Sequence, residues 1–248
     1  GKSIFTQALS HLVNAIQLDG KKVDFSDRFL FQAVNLETKL IVFDDADKKF
    51  DFQGLFHRTT GSFSFERKNQ HSIDIPFTDS PKFAITTNHT LKGEGFSFER
   101  RQFILEFGNF YGVERKPVDV HGGMLFEEWS SVEWNSFYNF AVFCLQTYLK
   151  EGLTESKVKN YQTKKLYDSV GREFSEWVET ALEFNKEYER DLLLDDFKMA
   201  TGLDNVDSRK FVTNIKRWSE IQGFSFNSEK AGRRDYRDGK TYVKVKKT

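Results

Sequence analysis

From Ser3 to Gln17 the apolar residues Phe5, Leu9, Leu12, Val13 and Ile16 return at helical spacing, which predicts a helix that stops near Gly20. Lys39 to Phe43 (KLIVF) is a short unbroken apolar run ending in acids, the pattern of a strand buried on both faces of a parallel sheet. Ser62 to Phe77 alternates loosely around the polar stretch Lys68-Asn69-Gln70-His71, which predicts a hairpin with that stretch at its tip. KFAITT (Lys82 to Thr87) and QFILEF (Gln102 to Phe107) predict two further strands. Strands and helices alternate this far, so the fold class expected here is α/β.

Beyond Tyr111 the pattern changes. Pro117 and Gly122-Gly123 mark a connection, and a helix follows from about Ser131 to Lys150, stopping at Gly152. The Lys-rich stretch Thr154 to Lys165 reads as a linker or equally as a solvated helix face, and another helix is predicted from Glu173 to Tyr188. In the tail, a helix over Leu192 to Thr201 stops at Gly202. Ser208 to Gln222 then carries a Ser cap and the apolar positions Phe211, Val212, Ile215, Trp218 and Ile221. FSFNS and KTYVKVKK predict two strands around the loop EKAGRRDYRDG. Helix, helix, basic hairpin resembles the outline of a winged helix, in which the second helix enters the major groove. Arg209, Lys210, Lys216 and Arg217 would lie on or near the exposed side of that helix, and Arg233, Arg234 and Arg237 in the wing; such a module binds DNA or, alternatively, packs against protein. Three segments are expected: 1–120, 121–187 as a helical connector, and 188–248.

Charge sharpens the picture of the tail. The 248 residues sum to zero, yet Ser208 to Thr248 holds twelve Lys and Arg against four Asp and Glu, so the tail carries +8 and the remainder −8. That asymmetry predicts a polyanion partner. No apolar run approaches the roughly 20 residues of a membrane span and no charged-then-apolar leader opens the chain, so a soluble, cytoplasmic protein with no membrane partner is expected. Cys144 is the single cysteine and excludes a disulfide framework or a cysteine zinc site. His11 and His57 fall at or beside apolar faces and read as structural.

The candidate chemistry sits at four places in order. Gly1-Lys2-Ser3 matches the end of a phosphate-binding loop GxxxxGK[ST], in which backbone N–H groups wrap the phosphates, the Lys meets the β- and γ-phosphates, and the Ser hydroxyl holds Mg²⁺. KLIVF runs into Asp44-Asp45, where one carboxylate can hold the Mg²⁺ shell and the second can orient or deprotonate the attacking water. KFAITT is followed by Asn88, a polar amide in reach of a γ-phosphate or that water. Arg100-Arg101 precede QFILEF, and a ring-forming motor needs a cation that reaches the neighbouring subunit's site.

The ordered series GKS, LIVFDDAD, TTGSFSFERKNQHSIDIPF, SPKFAITTN and GEGFSFERRQFILEF resembles the superfamily III helicases, specifically the helicase part of phage and plasmid primase-helicases, over about Gly1 to Tyr111. The resemblance implies an AAA+-like P-loop NTPase core, incomplete at its N-terminus, followed by the connector and the winged-helix domain. It implies ATP and Mg²⁺ as cofactors and a ring, usually hexameric, that translocates on single-stranded DNA, with duplex DNA as the tail's partner. In it Gly1, Lys2 and Ser3 look like nucleotide ligands, Ser3 and Asp44 like Mg²⁺ ligands, Asp45 like the group acting on water, Asn88 like the polar sensor, and Arg100 or Arg101 like the finger in trans. Arg67, Lys68 and His71 would grip the strand from the hairpin tip. The family's phosphate loop is otherwise missing ahead of Gly1, so nucleotide binding by this chain alone is expected to be weak. The alternatives are a non-enzymatic DNA-binding or loading segment, and an AAA+ initiator or loader ATPase that does not unwind.

Overall fold

The computed structural model describes residues 1–91, 96–156, 158–227 and 235–247. The chain divides into two compact units, Gly1–Lys159 and Asn160–Thr248, with separate hydrophobic cores.

The first unit opens with α1 (Lys2–Ser10) and β1 (Ala15–Asp19), followed by β2 (Leu40–Ala46), a 3₁₀ turn at Phe52–Leu55, the hairpin β3 (Phe63–Phe65) and β4 (Ile73–Ile75), and β5 (Lys82–Thr87). Then come α2 (Phe96–Glu99), α3 (Pro117–His121) and α4 (Ser131–Glu151). β1, β2 and β5 form a parallel sheet in that order, so β2 is central, and Leu40 to Phe43 are all buried as its unbroken apolar run requires. Phe43 lies at the middle of an aromatic core, 5.3 Å from the Phe50 ring and 5.9 Å from Phe25, both near edge-to-face. The hairpin packs Phe63, Phe65 and Ile75 inward and holds Ser64 opposite Asp74 on its outer face. Its tip spans 66–72.

Two elements depart from the predicted pattern. The first helix ends at Ser10, and Ala15–Asp19 is a strand paired with Leu40–Asp44. Ile16 and Leu18 alternate with Gln17, a period-two signal hidden inside the helical spacing of Leu9, Leu12, Val13 and Ile16. Gln102–Phe107 forms no strand: no ladder partner faces it among the described residues, and Phe103, Leu105 and Phe107 stay exposed. Without a neighbour to take alternate N–H and C=O groups, an apolar run has no reason to extend.

α4 keeps its predicted span and begins in a capping box between Ser130 and Glu133. None of its 21 residues is buried. Among the described residues no helix is long and apolar enough to cross a membrane.

The second unit comprises α5 (Tyr161–Val170), α6 (Arg172–Ala181), β6 (Glu187–Glu189), α7 (Arg190–Thr201), α8 (Ser208–Ile221), β7 (Phe224–Phe226), β8 (Asp235–Arg237) and β9 (Lys240–Lys247). β9 pairs antiparallel with β6, β7 and β8. The unit boundary lies at Asn160, well ahead of the expected 188, because α5 and α6 are not a connector. Leu166, Val170, Phe174, Trp177 and Val178 join Phe197, Phe211, Ile215, Trp218, Val243 and Val245 in one core. The helix expected to run to Tyr188 stops at Ala181, since Asn185 takes a left-handed φ of 65° and donates its N–H to the Val245 carbonyl at 2.8 Å, steering the chain into β6. α8 is capped by Asp207 and not by Ser208: the Asp207 carboxylate accepts from the N–H groups of Arg209 and Lys210 at 2.8 Å each.

Candidate functional site

Because β1, β2 and β5 are parallel, their C-terminal ends share one edge of the sheet, where ligands of open α/β sheets bind. That edge carries Gly20-Lys21 after β1, Asp44-Asp45 at the end of β2, and Thr86, Thr87 and Asn88 at the end of β5. α1 brings its N-terminus to the same place: Lys2 Nζ donates to Asn88 Oδ1 at 2.6 Å. No side-chain cap covers the N-terminus of α1, and Ser3 is exposed.

The two acids are held differently. Asp44 is fixed at both oxygens, Oδ1 accepting from the buried Thr86 hydroxyl at 2.6 Å and Oδ2 from the Gln17 amide at 3.0 Å. The same Thr86 Oγ1 accepts the Asp45 N–H at 2.8 Å. The ladder between β2 and β5 shifts register between Phe43 and Ala46, and Asp45 sits in that irregularity with φ 54°. A bulge with a left-handed non-glycine residue re-aims a side chain, and such strain concentrates at functional sites. The Asp45 carboxylate is half-exposed and paired with Lys21, whose ammonium is held above its usual pKa by the hydrogen bond and charge of Asp45. Gly20 makes this spacing possible. Its N–H donates to the Asp44 carbonyl at 2.7 Å, and a Cβ there would lie 2.8 Å from the Ala46 Cα.

The other predicted residues separate into free and committed groups. Arg100 is exposed, with its guanidinium 5.8 Å from the Phe96 ring. Arg101 instead lies over Phe56 at 4.7 Å and donates to the Ser97 carbonyl at 2.6 Å. At the hairpin tip Lys68 and His71 are exposed, as are Asn69 and Gln70 between them. Arg67 is not a tip residue in this sense: its guanidinium donates to the Val34 carbonyl at 2.6 Å and covers the Phe65 ring, so it fastens the hairpin to the body of the unit.

No family model, curated protein or solved structure matches the chain.

In the second unit Arg209, Lys210, Lys216 and Arg217 are all exposed on α8, while Phe211, Ile215 and Trp218 face the core. Lys216 has Glu220 at 3.7 Å. Arg237 is committed elsewhere, to Glu187 at 2.6 Å and to the Tyr242 ring at 4.9 Å, which removes it from the set of free wing cations. Arg233 and Arg234 lie outside the described residues.

Gln17, Lys21 and Thr86 belong to the candidate site and were not singled out by sequence. Thr86 stands two residues before Asn88, and Gln17 pairs with Val42 across the sheet, but neither fact has meaning until the strands are in register. Among the described residues no group of three or more His, Cys, Asp and Glu could hold a metal ion. The Asp44 carboxylate, held by Thr86 and Gln17, is an oxygen donor of the kind Mg²⁺ takes, and that ion keeps most of its waters and needs few protein ligands.

Proposed function

We propose that the chain is the motor and tail of an ATP-dependent DNA helicase of superfamily III type, a cytoplasmic replication enzyme that assembles as a ring. The observation that carries this reading is the Lys2 to Asn88 hydrogen bond at 2.6 Å, at the sheet end where Thr86 fixes Asp44. Residues separated by more than eighty positions meet where a phosphoryl-transfer site needs a cation, an amide and two carboxylates.

In this reading Lys2 and the uncapped N–H groups of α1 receive the β- and γ-phosphates. Ser3 and Asp44 would hold Mg²⁺, which supplies neutralising charge on the phosphate oxygens. Asp45 orients the attacking water and accepts its proton, so Lys21 has to leave Asp45 before that carboxylate can act. Asn88 exchanges Lys2 for the γ-phosphate or the water. Arg100, exposed and uncommitted to a carbonyl, suits the finger in trans better than Arg101. Lys68 and His71 grip a single strand without reading its sequence, and the second unit is a winged-helix DNA-binding module.

The test is ATP hydrolysis by the complete gene product with and without single-stranded DNA. Asp45→Asn is expected to slow turnover by about 10²-fold or more while nucleotide binding persists. Lys68→Ala with His71→Ala is expected to abolish stimulation by the strand and leave basal hydrolysis intact. Full turnover by the Asp45→Asn protein would remove the role given to that carboxylate.

A further inference from the structure

The connection 20–39 between β1 and β2 ties the candidate site to the hairpin. At its start the Asp19 carboxylate accepts the Lys21 N–H at 3.0 Å and pairs with Lys22 at 3.2 Å, while the Gly20 N–H is held by the Asp44 carbonyl. That turn delivers the Lys21 ammonium onto Asp45. Further along, Arg28 donates to Glu66 Oε2 at 2.6 Å, the Phe31 ring meets Phe63 of β3 edge-on at 5.1 Å, and the Val34 carbonyl accepts from Arg67 at 2.6 Å. Glu66 and Arg67 directly precede Lys68 at the hairpin tip.

The links along this connection differ in strength. Phe31 and Val34 are buried and fix its later half, and Phe25 packs edge-on against Phe43 and Phe50 between Lys21 and Arg28. Lys21 and Asp45 are half-exposed and Arg28 more so, and exposed ion pairs hold their partners weakly and yield to competing charge. Asp19 and Asp47 also lie within electrostatic reach of Lys21, so the ammonium has other acids to turn to when it leaves Asp45. The pair is thus an element with two arrangements, one of which blocks the carboxylate.

We propose that Lys21 is a positioning residue that restrains Asp45 until a single strand reaches the hairpin tip, with Arg28 carrying the signal. This rests on the motor reading of the first unit and adds its regulation. A phosphate seated at Lys68 brings negative charge beside Glu66, repelling that carboxylate and offering Arg28 a second anion. Arg28 exchanges Glu66 for the phosphate, the stretch before it turns about Phe25, and Lys21 leaves Asp45. Both the strand and the nucleotide site then bias one two-state element, which is what coupling between them requires.

The experiment uses the complete gene product, with ATP hydrolysis read with and without an oligothymidylate of about fifteen nucleotides. Lys21→Met is expected to raise hydrolysis without the strand about fivefold and to leave the strand-stimulated rate unchanged. Lys21→Arg, which keeps the ion pair, should behave as the unaltered protein. Arg28→Ala is expected to keep the unstimulated rate and to lose about fivefold of the stimulation. Combined with Lys21→Met it should match Lys21→Met alone, since a freed Asp45 needs no signal.

A second readout follows the pair itself. A water-soluble carbodiimide activates the Asp45 carboxylate, and the Lys21 amine, after losing its proton, displaces the activated group to form an amide and release the urea. Peptides holding residues 21 and 45 are then joined in mass spectrometry. The joined peptide is expected from the free protein and should fall about fivefold when the strand is added with a non-hydrolysable nucleotide, but not in the Arg28→Ala protein. A joined peptide that persists with the strand bound would overturn the restraint. So would a Lys21→Met rate equal to or below that of the unaltered protein while Asp45→Asn still stops turnover, and in that case the motor reading stands. No hydrolysis by the unaltered protein would remove both.

Discussion

Gly20 and Asp45 are the two backbone positions on which the sheet end depends. At Gly20 any side chain would meet main-chain atoms of Ala46 and Asp44 at 2.8 Å, and main chain inside a sheet cannot swing aside as a flexible side chain does. Gly20→Ala is therefore expected to cost about 1–3 kcal/mol by forcing β1 and β2 apart, read by chemical denaturation. An unchanged midpoint would mean that the β1 turn moves freely and that Gln17 does not hold Asp44 in place. Asp44, Asp45 and Asn88 were legible because acids after KLIVF and an amide after KFAITT stand at strand ends in the linear order. Thr86, Gln17 and Lys21 were not, since their parts depend on which strands are neighbours and in what register. Arg67 and Arg237 failed for the opposite reason: charge is visible in a sequence, while the Val34 carbonyl and the Glu187 carboxylate that claim them are not.

α8 carries its own pH dependence through its cap. The N–H groups of Lys210 and Arg209 donate to the Asp207 carboxylate and hold its pKa below the ordinary value. A depressed folded-state pKa stabilises above the unfolded pKa of about 3.9, and that contribution is lost as pH falls through the lower folded value. Melting temperature set by this cap should thus be flat near neutrality and fall in the acid range below about pH 4. Asp207→Asn keeps a cap that does not titrate, so the acid slope of the second unit should shrink; an identical slope would show that other carboxylates dominate it. Elements with a strong local signal were legible at this scale. KFAITT and α4 have their predicted spans, and the hairpin places its polar tip as expected, because period and caps are local. QFILEF and the first helix were misread where pairing decides: a run of apolar residues becomes a strand only beside another strand, and Ile16 satisfies both periods. α5 shows only Leu166 and Val170 to the core from ten mostly polar residues, too thin a stripe to mark where the second unit begins.

For the whole molecule, the two buried clusters share no residue, one running from Phe31 to Phe98 and the other from Leu166 to Val245. Phe211 is fully buried and meets Phe174, Trp177 and Phe197 at ring distances of 5.6 to 5.9 Å. Phe211→Ala is expected to cost about 3–5 kcal/mol. In hydrogen exchange the amides of α6, α8 and β9 should lose protection while those of β2 and β5 keep theirs. Loss of protection in both sets would show that the cores unfold as one.

β9 holds three partners to one ruler. Thr241, Val243 and Val245 point into the core while Tyr242, Lys244 and Lys246 alternate with them. The strand therefore has a parity. Removing one residue from its middle would turn lysines inward against Phe211 and Trp218 for everything beyond the cut, whereas removing two restores the alternation and shortens only the ladder. Descendants of this gene should accept length changes here in even steps, and a paired set of deletions, of Val243 alone and of Val243 with Lys244, should leave soluble protein only in the second case.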